Sequence, residues 1–249
     1  MTPWLISAPA ALAAAAGLTT YAAINSRAQI FGRTTYRTNS SRKLAITFDD
    51  GPNPSVTPKL LALLDKYKAP ATFFVIGAYA REFPELVREV KARGHVVGNH
   101  TETHPKLLWR NSSDIRVELR LCQSAIKNAV GVAAKWFRPP FGFRNPWVAI
   151  AARELDLRVA MWTLMPGDWK SPSAQWLIER MEPIATRAQR SSQKAGGTGD
   201  ILCLHDGGHR QQNTDRSHTL AALEHWLPRW RDLGLEFVTI DDAAPGPAP

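Results

Sequence analysis

The sequence predicts an α/β fold in which parallel strands are joined by crossover helices. Seven short runs rich in apolar, β-branched or aromatic residues recur along the chain, and segments with helical spacing of apolar residues separate them. The chain has 249 residues, a length at which α/β barrels often form one domain. Seven strands in alternation with helices favour a barrel, or an incomplete barrel, over a small open sheet.

The strands and helices are predicted from the positions of their apolar residues. The strands lie at 43–48, 71–77, 95–99, 135–138, 158–162, 200–205 and 236–240. Helical spacing marks 60–67, 83–90, 115–130, 146–155, 173–190 and 216–233. Gly94 and Gly131 follow the second and third helices, where glycine commonly ends a helix. We expect Pro228 to interrupt the last helix, because proline removes a backbone hydrogen bond.

Residues 1–26 form an alanine-rich segment without a charged side chain. That length is sufficient to span a bilayer. Three hypotheses stay open: an uncleaved membrane anchor, a cleaved signal peptide, and a helix packed on the domain. A signal peptide usually begins with Lys or Arg, and this segment has neither. Arg27 and the basic residues after it would hold that side in the cytoplasm by the positive-inside rule, but the orientation stays open. We expect a protein of the cell envelope, membrane-anchored or secreted.

Four segments are predicted: the hydrophobic segment 1–26, a polar linker at 27–42, a catalytic domain at 43–242 and a loose Ala/Pro-rich tail at 243–249. The formal net charge is +9, but Lys and Arg are scattered and form no nucleic-acid-binding motif. We therefore expect no nucleic-acid partner, and a basic protein that meets anionic cell-surface polymers fits the charge equally well. The chain is expected to be a monomer.

Polar residues stand at the carboxyl ends of five predicted strands. They are Asp49-Asp50, Asn99-His100, Arg138, Asp168-Trp169 and His205-Asp206. In α/β barrels, active-site residues lie at the carboxyl ends of the strands, and polar side chains at these positions do not contribute to an apolar core. The simple alternative for Asp49-Asp50-Gly51 is a turn after a strand, but a turn needs only one Asp. The strand ends therefore predict an active site.

His100 and His104 stand four residues apart, so that a helical turn or tight loop aims both imidazoles at one point. With Asp50 they offer two nitrogens and one oxygen, the composition of a catalytic zinc site. Zinc proteases of the H-E-x-x-H type need Glu directly after the first His, where this chain has Thr101. Two His and one carboxylate also bind iron in oxygenases, which need no proton-transfer pair. Hydrolysis with a divalent ion, Zn²⁺ or a similar ion such as Co²⁺, is the better fit.

Asp49 and His205 are the candidate proton-transfer pair. A water activated by a metal needs a base, and a leaving amine needs an acid. Arg138 close to Asp49 would keep that carboxylate ionised and oriented, and Asp168 close to His205 would favour the charged imidazolium. The simple alternatives are a surface ion pair for Arg138 and a buried core histidine for His205.

Five motifs occur in the order that is typical of one family. They are Thr47-Phe48-Asp49-Asp50-Gly51, His100-Thr101-Glu102-Thr103-His104, Arg138-Pro139-Pro140-Phe141-Gly142, Asp168-Trp169 and Leu204-His205-Asp206. Over about residues 43–241 the chain resembles the polysaccharide deacetylases, the carbohydrate esterases with a NodB homology domain. The resemblance implies an irregular (β/α)7 barrel and an N-acetylated glycan, such as peptidoglycan or a chitin-like oligomer, as substrate.

The resemblance also implies a role for each motif residue. Asp50, His100 and His104 would hold the metal, Asp49 would be the base, Arg138 would orient Asp49, His205 would be the acid, and Asp168 would tune His205. Trp169 would line the sugar groove, and a backbone N–H near Phe141 would bind the oxyanion. Cys203 stands where family members often have Leu in the pocket for the acetyl methyl group.

Two further expectations concern the mouth of the barrel and rival functions. The segments containing Arg210 and Arg216 are expected to contribute a rim contact to the polymer.

One rival function is hydrolysis of a small cyclic amide or imide on the same fold. The other is a carbohydrate-binding protein without catalysis, which the intact metal and acid residues disfavour.

Overall fold

Parallel strands form one sheet in the computed structural model, which describes residues 8–191 and 196–243. The strands of these residues are β1 (Thr34–Thr35), β2 (Lys43–Gly51), β3 (Thr72–Val75), β4 (Val96–Asn99), β5 (Trp136–Phe137), β6 (Arg158–Ala160), β7 (Asp200–His205) and β8 (Glu236–Val238). Their order is β1-β6-β5-β4-β3-β2-β7, and β8 pairs with the first part of β2. The predicted α/β fold with parallel strands is confirmed.

Backbone hydrogen bonds after β6 bring the two sides of the sheet together. The amide of Thr163 donates to the carbonyl of Ile201 at 3.0 Å, and the amide of Cys203 donates to the carbonyl of Leu164 at 2.9 Å. The chain that leaves β6 therefore pairs with β7, at the far end of the strand order. The result is the irregular barrel that the sequence motifs imply.

The helices of the described residues are α1 (Ala8–Ile24), α2 (Thr57–Lys66), α3 (Gly77–Glu82), α4 (Pro84–Ala92), α5 (Ser112–Val130), α6 (Pro146–Glu154), α7 (Ala174–Ser191), α8 (Ser217–Asp232) and α9 (Ile240–Ala243). Seven of them, α2 to α8, connect successive strands, while α1 precedes the first strand and α9 follows the last. The side chain of Asn111 caps α5 by accepting from the amide of Asp114, and Gly131 ends it in the left-handed region at φ 80°.

The predicted interruption at Pro228 is wrong, because α8 continues through this residue. The helix buries Leu223, Trp226, Leu227 and Trp230 against the core. Packing of such a face contributes more to a helix in a protein than one backbone hydrogen bond does. The apolar face therefore keeps α8 continuous across the proline.

Alternation along β2 divides its side chains between two cores. Leu44, Ile46 and Phe48 belong to the core between strands and helices, whereas Ala45 packs with residues of other strands inside the barrel. By the two-residue period of a strand, Asp49 faces the barrel interior together with Ala45. The carboxylate of Asp49 thereby lies near the carboxyl end of a strand that is buried from Leu44 onward.

The sheet also takes up part of the segment predicted as a linker. Thr34 and Thr35 pair with Val159 and Ala160 of β6, and Arg37 forms an antiparallel bridge with Asp200. A two-residue strand is too short to leave a periodic signal in the sequence.

The end of α1 is attached to the barrel by one buried arginine. The guanidinium of Arg144 donates to the carbonyls of Ala28 at 3.0 Å, Asn25 at 2.5 Å and Ala22 at 3.4 Å. The bond to Ala22 satisfies one of the last-turn carbonyls that a helix leaves without an intrahelical partner. Burial lowers the pKa of Arg144. Residues 9–21 of α1 are exposed.

Within residues 8–191 and 196–243, none of the helices has the length and apolar character needed to cross a membrane. Residues 1–7 of the predicted hydrophobic segment and residues 244–249 of the predicted tail lie outside the described residues.

Candidate active site

A β-bulge brings two neighbouring carboxylates to the same end of β2. Asp49 pairs with Phe74 and Gly51 with Val75, so Asp50 is the extra residue. Its backbone lies in the left-handed region at φ 70°. A bulge redirects the side chain of the extra residue, which would otherwise point away from its neighbour. The strand thus runs through Asp50 to Gly51 instead of stopping at Phe48 as the sequence suggested.

Asp50, His100 and His104 form a compact group of donor atoms. Oδ1 of Asp50 lies 3.4 Å from Nε2 of His100 and 3.1 Å from Nε2 of His104. The three residues are buried, and Oδ1 has no hydrogen-bond partner. A buried carboxylate oxygen normally has such a partner. Its absence, with two imidazole nitrogens facing the same point, fits a divalent cation.

The protonation of the two imidazoles also fits a metal. Nδ1 of His100 lies 2.7 Å from the carbonyl oxygen of Arg138. Because a carbonyl oxygen can only accept a hydrogen bond, Nδ1 carries the proton. The lone pair of His100 is therefore on Nε2, toward Asp50. Burial lowers the pKa of His104 to about 4, so that its imidazole is neutral near pH 7. Neutral histidines are the form that ligates metals.

The loop that carries both histidines is a strained turn instead of a helix. Thr101 has φ 68° and His104 has φ 57°, both in a region that non-glycine residues rarely occupy. The carboxylate of Glu118 in α5 accepts from the amides of Glu102 at 3.0 Å and Thr103 at 2.9 Å. It also accepts from the hydroxyl of Thr103 at 2.8 Å. These bonds hold the strained loop in place.

Arg138 lies against Asp49, where the sequence predicts it. Its Nη1 donates to Oδ1 of Asp49 at 2.8 Å and to Oγ1 of Thr47 at 2.7 Å. The guanidinium carbon lies 4.2 Å from the ring centre of Phe74. Arg138 is fully buried, which excludes the alternative of a surface ion pair. One oxygen of Asp49 is thus fixed by Arg138, and Oδ2 is directed toward His100, 3.9 Å from its Nε2.

His205 and Asp168 form the second carboxylate–imidazole pair of the site. Nδ1 of His205 lies 2.8 Å from Oδ1 of Asp168, whose Oδ2 accepts from the amide of His205 at 2.8 Å. Thr219 donates to the same Oδ2 at 3.1 Å. Burial lowers the pKa of His205, but the charge of Asp168 and its hydrogen bond outweigh burial and raise the pKa to about 9. His205 is therefore an imidazolium at neutral pH.

An open cavity of about 690 Å³ connects these groups. The predicted residues on its wall are Asp49, Asp50, His100, His104, Phe141, Trp169 and His205. Arg210 and Arg216 also line it, although Arg216 is buried and donates twice to the carbonyl of Gly207. Cys203 lies behind Asp49, fully buried, with Sγ 3.3 Å from Oδ2.

Three residues near the site were given no role by the sequence. Glu118 lies on α5 and supports the loop that carries His100 and His104. No spacing rule connects it to these histidines in the sequence. Asp206 accepts from the hydroxyl of Thr57 at 2.5 Å, and burial raises its pKa to about 7. His209 lies beside Asp50 and His104. Its signal in the sequence is its position four residues after His205, in the segment containing Arg210 that was expected at the mouth of the barrel.

The barrel and this site define a metal-dependent hydrolase, and comparison with known proteins gives its family. The polysaccharide deacetylase family model matches residues 36–160. A peptidoglycan-N-acetylglucosamine deacetylase of Bacillus cereus is 38% identical over 212 residues, which cover 82% of this chain and 89% of the relative. A chitooligosaccharide deacetylase of Sinorhizobium fredii is 36% identical over 195 residues, covering 76% of this chain and 86% of the relative.

A solved structure shows the same fold. The crystal structure of a peptidoglycan N-acetylglucosamine deacetylase in complex with 4-naphthalen-1-yl-N-oxidanyl-benzamide superposes with a TM-score of 0.72 at 27% identity. The match covers 84% of this chain and 92% of that one. The chain belongs to the polysaccharide deacetylase family and is an enzyme of that class. The resemblance drawn from the five motifs is confirmed.

Proposed function

We propose that this chain removes N-acetyl groups from N-acetylglucosamine units of an envelope glycan and releases acetate. The observation that carries the proposal is the convergence of Asp50, His100 and His104 with Asp49 and His205 in one open cavity. The names of the relatives support two glycan classes, peptidoglycan and chitooligosaccharides.

Zn²⁺ is the proposed ion, with Co²⁺ as a substitute. Two histidine nitrogens and one carboxylate oxygen suit zinc and leave coordination positions open, as catalytic zinc sites do. A divalent ion held by these residues supplies Lewis-acid activation of water and of the amide carbonyl.

Asp49 is the proposed general base. Arg138 occupies Oδ1, so Oδ2, on the side of the metal residues, is the oxygen that takes the proton from water. The thiol of Cys203 contacts the same Oδ2. Burial raises the pKa of Cys203 well above its ordinary value, so the thiol stays protonated and does not compete for the proton.

His205 is the proposed general acid. Its raised pKa means that the imidazolium is present before the reaction begins, and Asp168 holds Nδ1 so that Nε2 is free to face the cavity. The proton passes from His205 to the leaving nitrogen as the amide bond breaks. The backbone amide of Phe141, a residue at φ 59°, is proposed to stabilise the oxyanion.

The shape of the cavity favours a glycan over the rival small cyclic amide. Phe141 and Trp169 line the cavity with 37% and 41% of their surfaces exposed. Exposed aromatic faces beside an open cavity suit an extended sugar chain. A small cyclic amide would call for an enclosed pocket that removes most of its surface from water.

A membrane-facing role is proposed for α1 and the hydrophobic segment to which it belongs. Leu12 and Leu18 are exposed on α1, which carries no charge, and Arg144 attaches the end of this helix to the barrel. Envelope location follows from this proposal. Deletion of residues 1–21 leaves the carbonyls bound by Arg144 in place. We expect the full chain to float with anionic phospholipid vesicles and the shortened chain to stay in the soluble fraction with unchanged activity on short oligomers.

The function is tested by acetate release from peptidoglycan, chitin oligomers and acetylated xylan, and by a separate assay for ring opening of a cyclic imide. The zinc-loaded chain should release acetate from at least one GlcNAc-containing glycan and leave the imide intact. Asp49→Asn and His205→Ala are the matched inactive variants. Imide hydrolysis without acetate release would establish the rival function, and no turnover of any substrate by a zinc-loaded chain would favour the binding protein.

A further inference from the structure

His209 lies beside Asp50 and His104 but is not one of the three proposed metal ligands. Its Nδ1 lies 3.7 Å from Oδ2 of Asp50. Its ring stacks on that of His104, with centroids 4.4 Å apart and an interplanar angle of 23°. The ring of Phe141 lies at 82° to that of His209, with centroids 5.2 Å apart, and it also contacts His104.

The segment 207–214 is anchored on both sides of His209, so this placement is set by the backbone. Arg216 donates to the carbonyl of Gly207 at 3.0 and 2.7 Å, and the hydroxyl of Tyr79 donates to the carbonyl of Gly208 at 3.2 Å. Beyond His209, the side chain of Asn53 donates to the carbonyl of Thr214 at 2.9 Å.

Two glycines bring the segment close to the metal residues. A Cβ at Gly207 would collide with the backbone of Asp50, and one at Gly208 would collide with the side chain of Thr214. Glycine is required at 207 for the approach to Asp50, and at 208 for the close contact with Thr214 within the segment. The chain is therefore built to bring the following residue, His209, next to Asp50.

The two oxygens of Asp50 are divided between different histidines. Oδ1 faces His100 and His104, and Oδ2 faces His209. Among the described residues, Asp50 is the acidic side chain within ion-pair distance of His209. A polar group placed beside the second oxygen of a ligating carboxylate restricts the direction of the first.

We propose that His209 is a positioning residue of the metal centre. It orients the carboxylate of Asp50 through Oδ2 and covers one face of His104, so that both ligands are held ready for the ion. The inference rests on the metal site of the proposed function and is independent of the glycan substrate. It assigns His209 to retention of the ion, with no contact to the reacting amide.

Metal affinity measured by competition with a chromophoric chelator tests the proposal without any turnover. We expect His209→Ala to bind Zn²⁺ and Co²⁺ about 10- to 100-fold more weakly, the usual cost of losing a group that supports a metal ligand. His209→Asn, which keeps a donor, should recover part of the loss. His225→Ala, which removes a histidine on α8, should bind as tightly as the wild type.

The visible spectrum of the cobalt-loaded chain separates support of a ligand from direct ligation. The proposal predicts the same spectrum for the wild type and His209→Ala at saturating cobalt. A changed spectrum would overturn it by making His209 a ligand, and unchanged affinity of His209→Ala would overturn it by making His209 irrelevant to the ion. A wild-type chain that binds no metal would instead refute the proposed function.

Discussion

The site contains two carboxylate–histidine arrangements that differ in how the carboxylate is hydrogen-bonded. Asp168 and His205 share a hydrogen bond of 2.8 Å, which together with the carboxylate charge raises the pKa of His205 to about 9. Asp50 faces His100 and His104, but its Oδ1 has no hydrogen-bond partner, and burial lowers the pKa of His104 to about 4.

The difference shows how the same residue types acquire opposite roles. A bonded carboxylate stabilises the charged imidazolium, which can then donate a proton. At His104 burial outweighs the attraction of Asp50 and keeps the imidazole neutral, the form that binds a cation. We therefore call the first arrangement the acid pair and the second the metal group, and each prediction below changes one and leaves the other intact.

The largest effect is expected from loss of the metal group. Removal of the ion with a chelator, or His104→Ala, should abolish acetate release, because the activation of water and of the carbonyl is lost. Zinc should restore the chelated wild type, but not His104→Ala at micromolar concentration. Full activity of a chain shown to be metal-free would contradict the assignment.

Next in size is the loss of the acid pair through His205→Ala. The rate should fall by about 10²- to 10⁴-fold, the usual contribution of a general acid. Zinc content, measured by atomic emission on the same sample, should equal that of the wild type. A simultaneous loss of zinc would mean that the two arrangements are not separate.

The pH profile tests the cause of the raised pKa. In the zinc-loaded wild type, activity should fall as the pH rises through about 9, because His205 then loses its proton. Asp168→Asn removes the charge that opposes burial, so the pKa of His205 drops and this alkaline limb moves to lower pH. At pH 8 the rate should fall by roughly tenfold or more, since one pKa unit corresponds to tenfold. Asp232→Asn, an exposed carboxylate on α8, should leave the limb in place.

The smallest effects are expected from the residues that support each arrangement. Glu118→Ala removes the acceptor of three hydrogen bonds to the metal loop and should weaken zinc binding by about tenfold. Thr219→Val removes one of the bonds to Asp168 and should lower kcat by only about two- to tenfold, a typical hydrogen-bond contribution. If Glu118→Ala lowered only kcat and Thr219→Val weakened only zinc binding, each residue would support the other arrangement.

The sequence predicted the strands and the polar residues at their ends, because both leave local signals of period, turn and residue type. It did not predict the bulge at Asp50, since a bulge depends on the register with β3. It also missed Glu118, and it expected only a rim contact from the segment of His209, because both residues reach the metal group through tertiary packing. Pro228 was misjudged because the buried face of α8 outweighs a local preference.

The division of labour between Asp49 and Asp50 is the central claim, and zinc content of two alanine variants tests it most directly. Both proteins would be loaded with zinc, dialysed and analysed for bound metal and for acetate release. We predict that Asp49→Ala retains one zinc per chain without activity, because its carboxylate only moves a proton. Asp50→Ala should retain almost none. Zinc kept by Asp50→Ala and lost by Asp49→Ala would contradict the account and reverse the two roles.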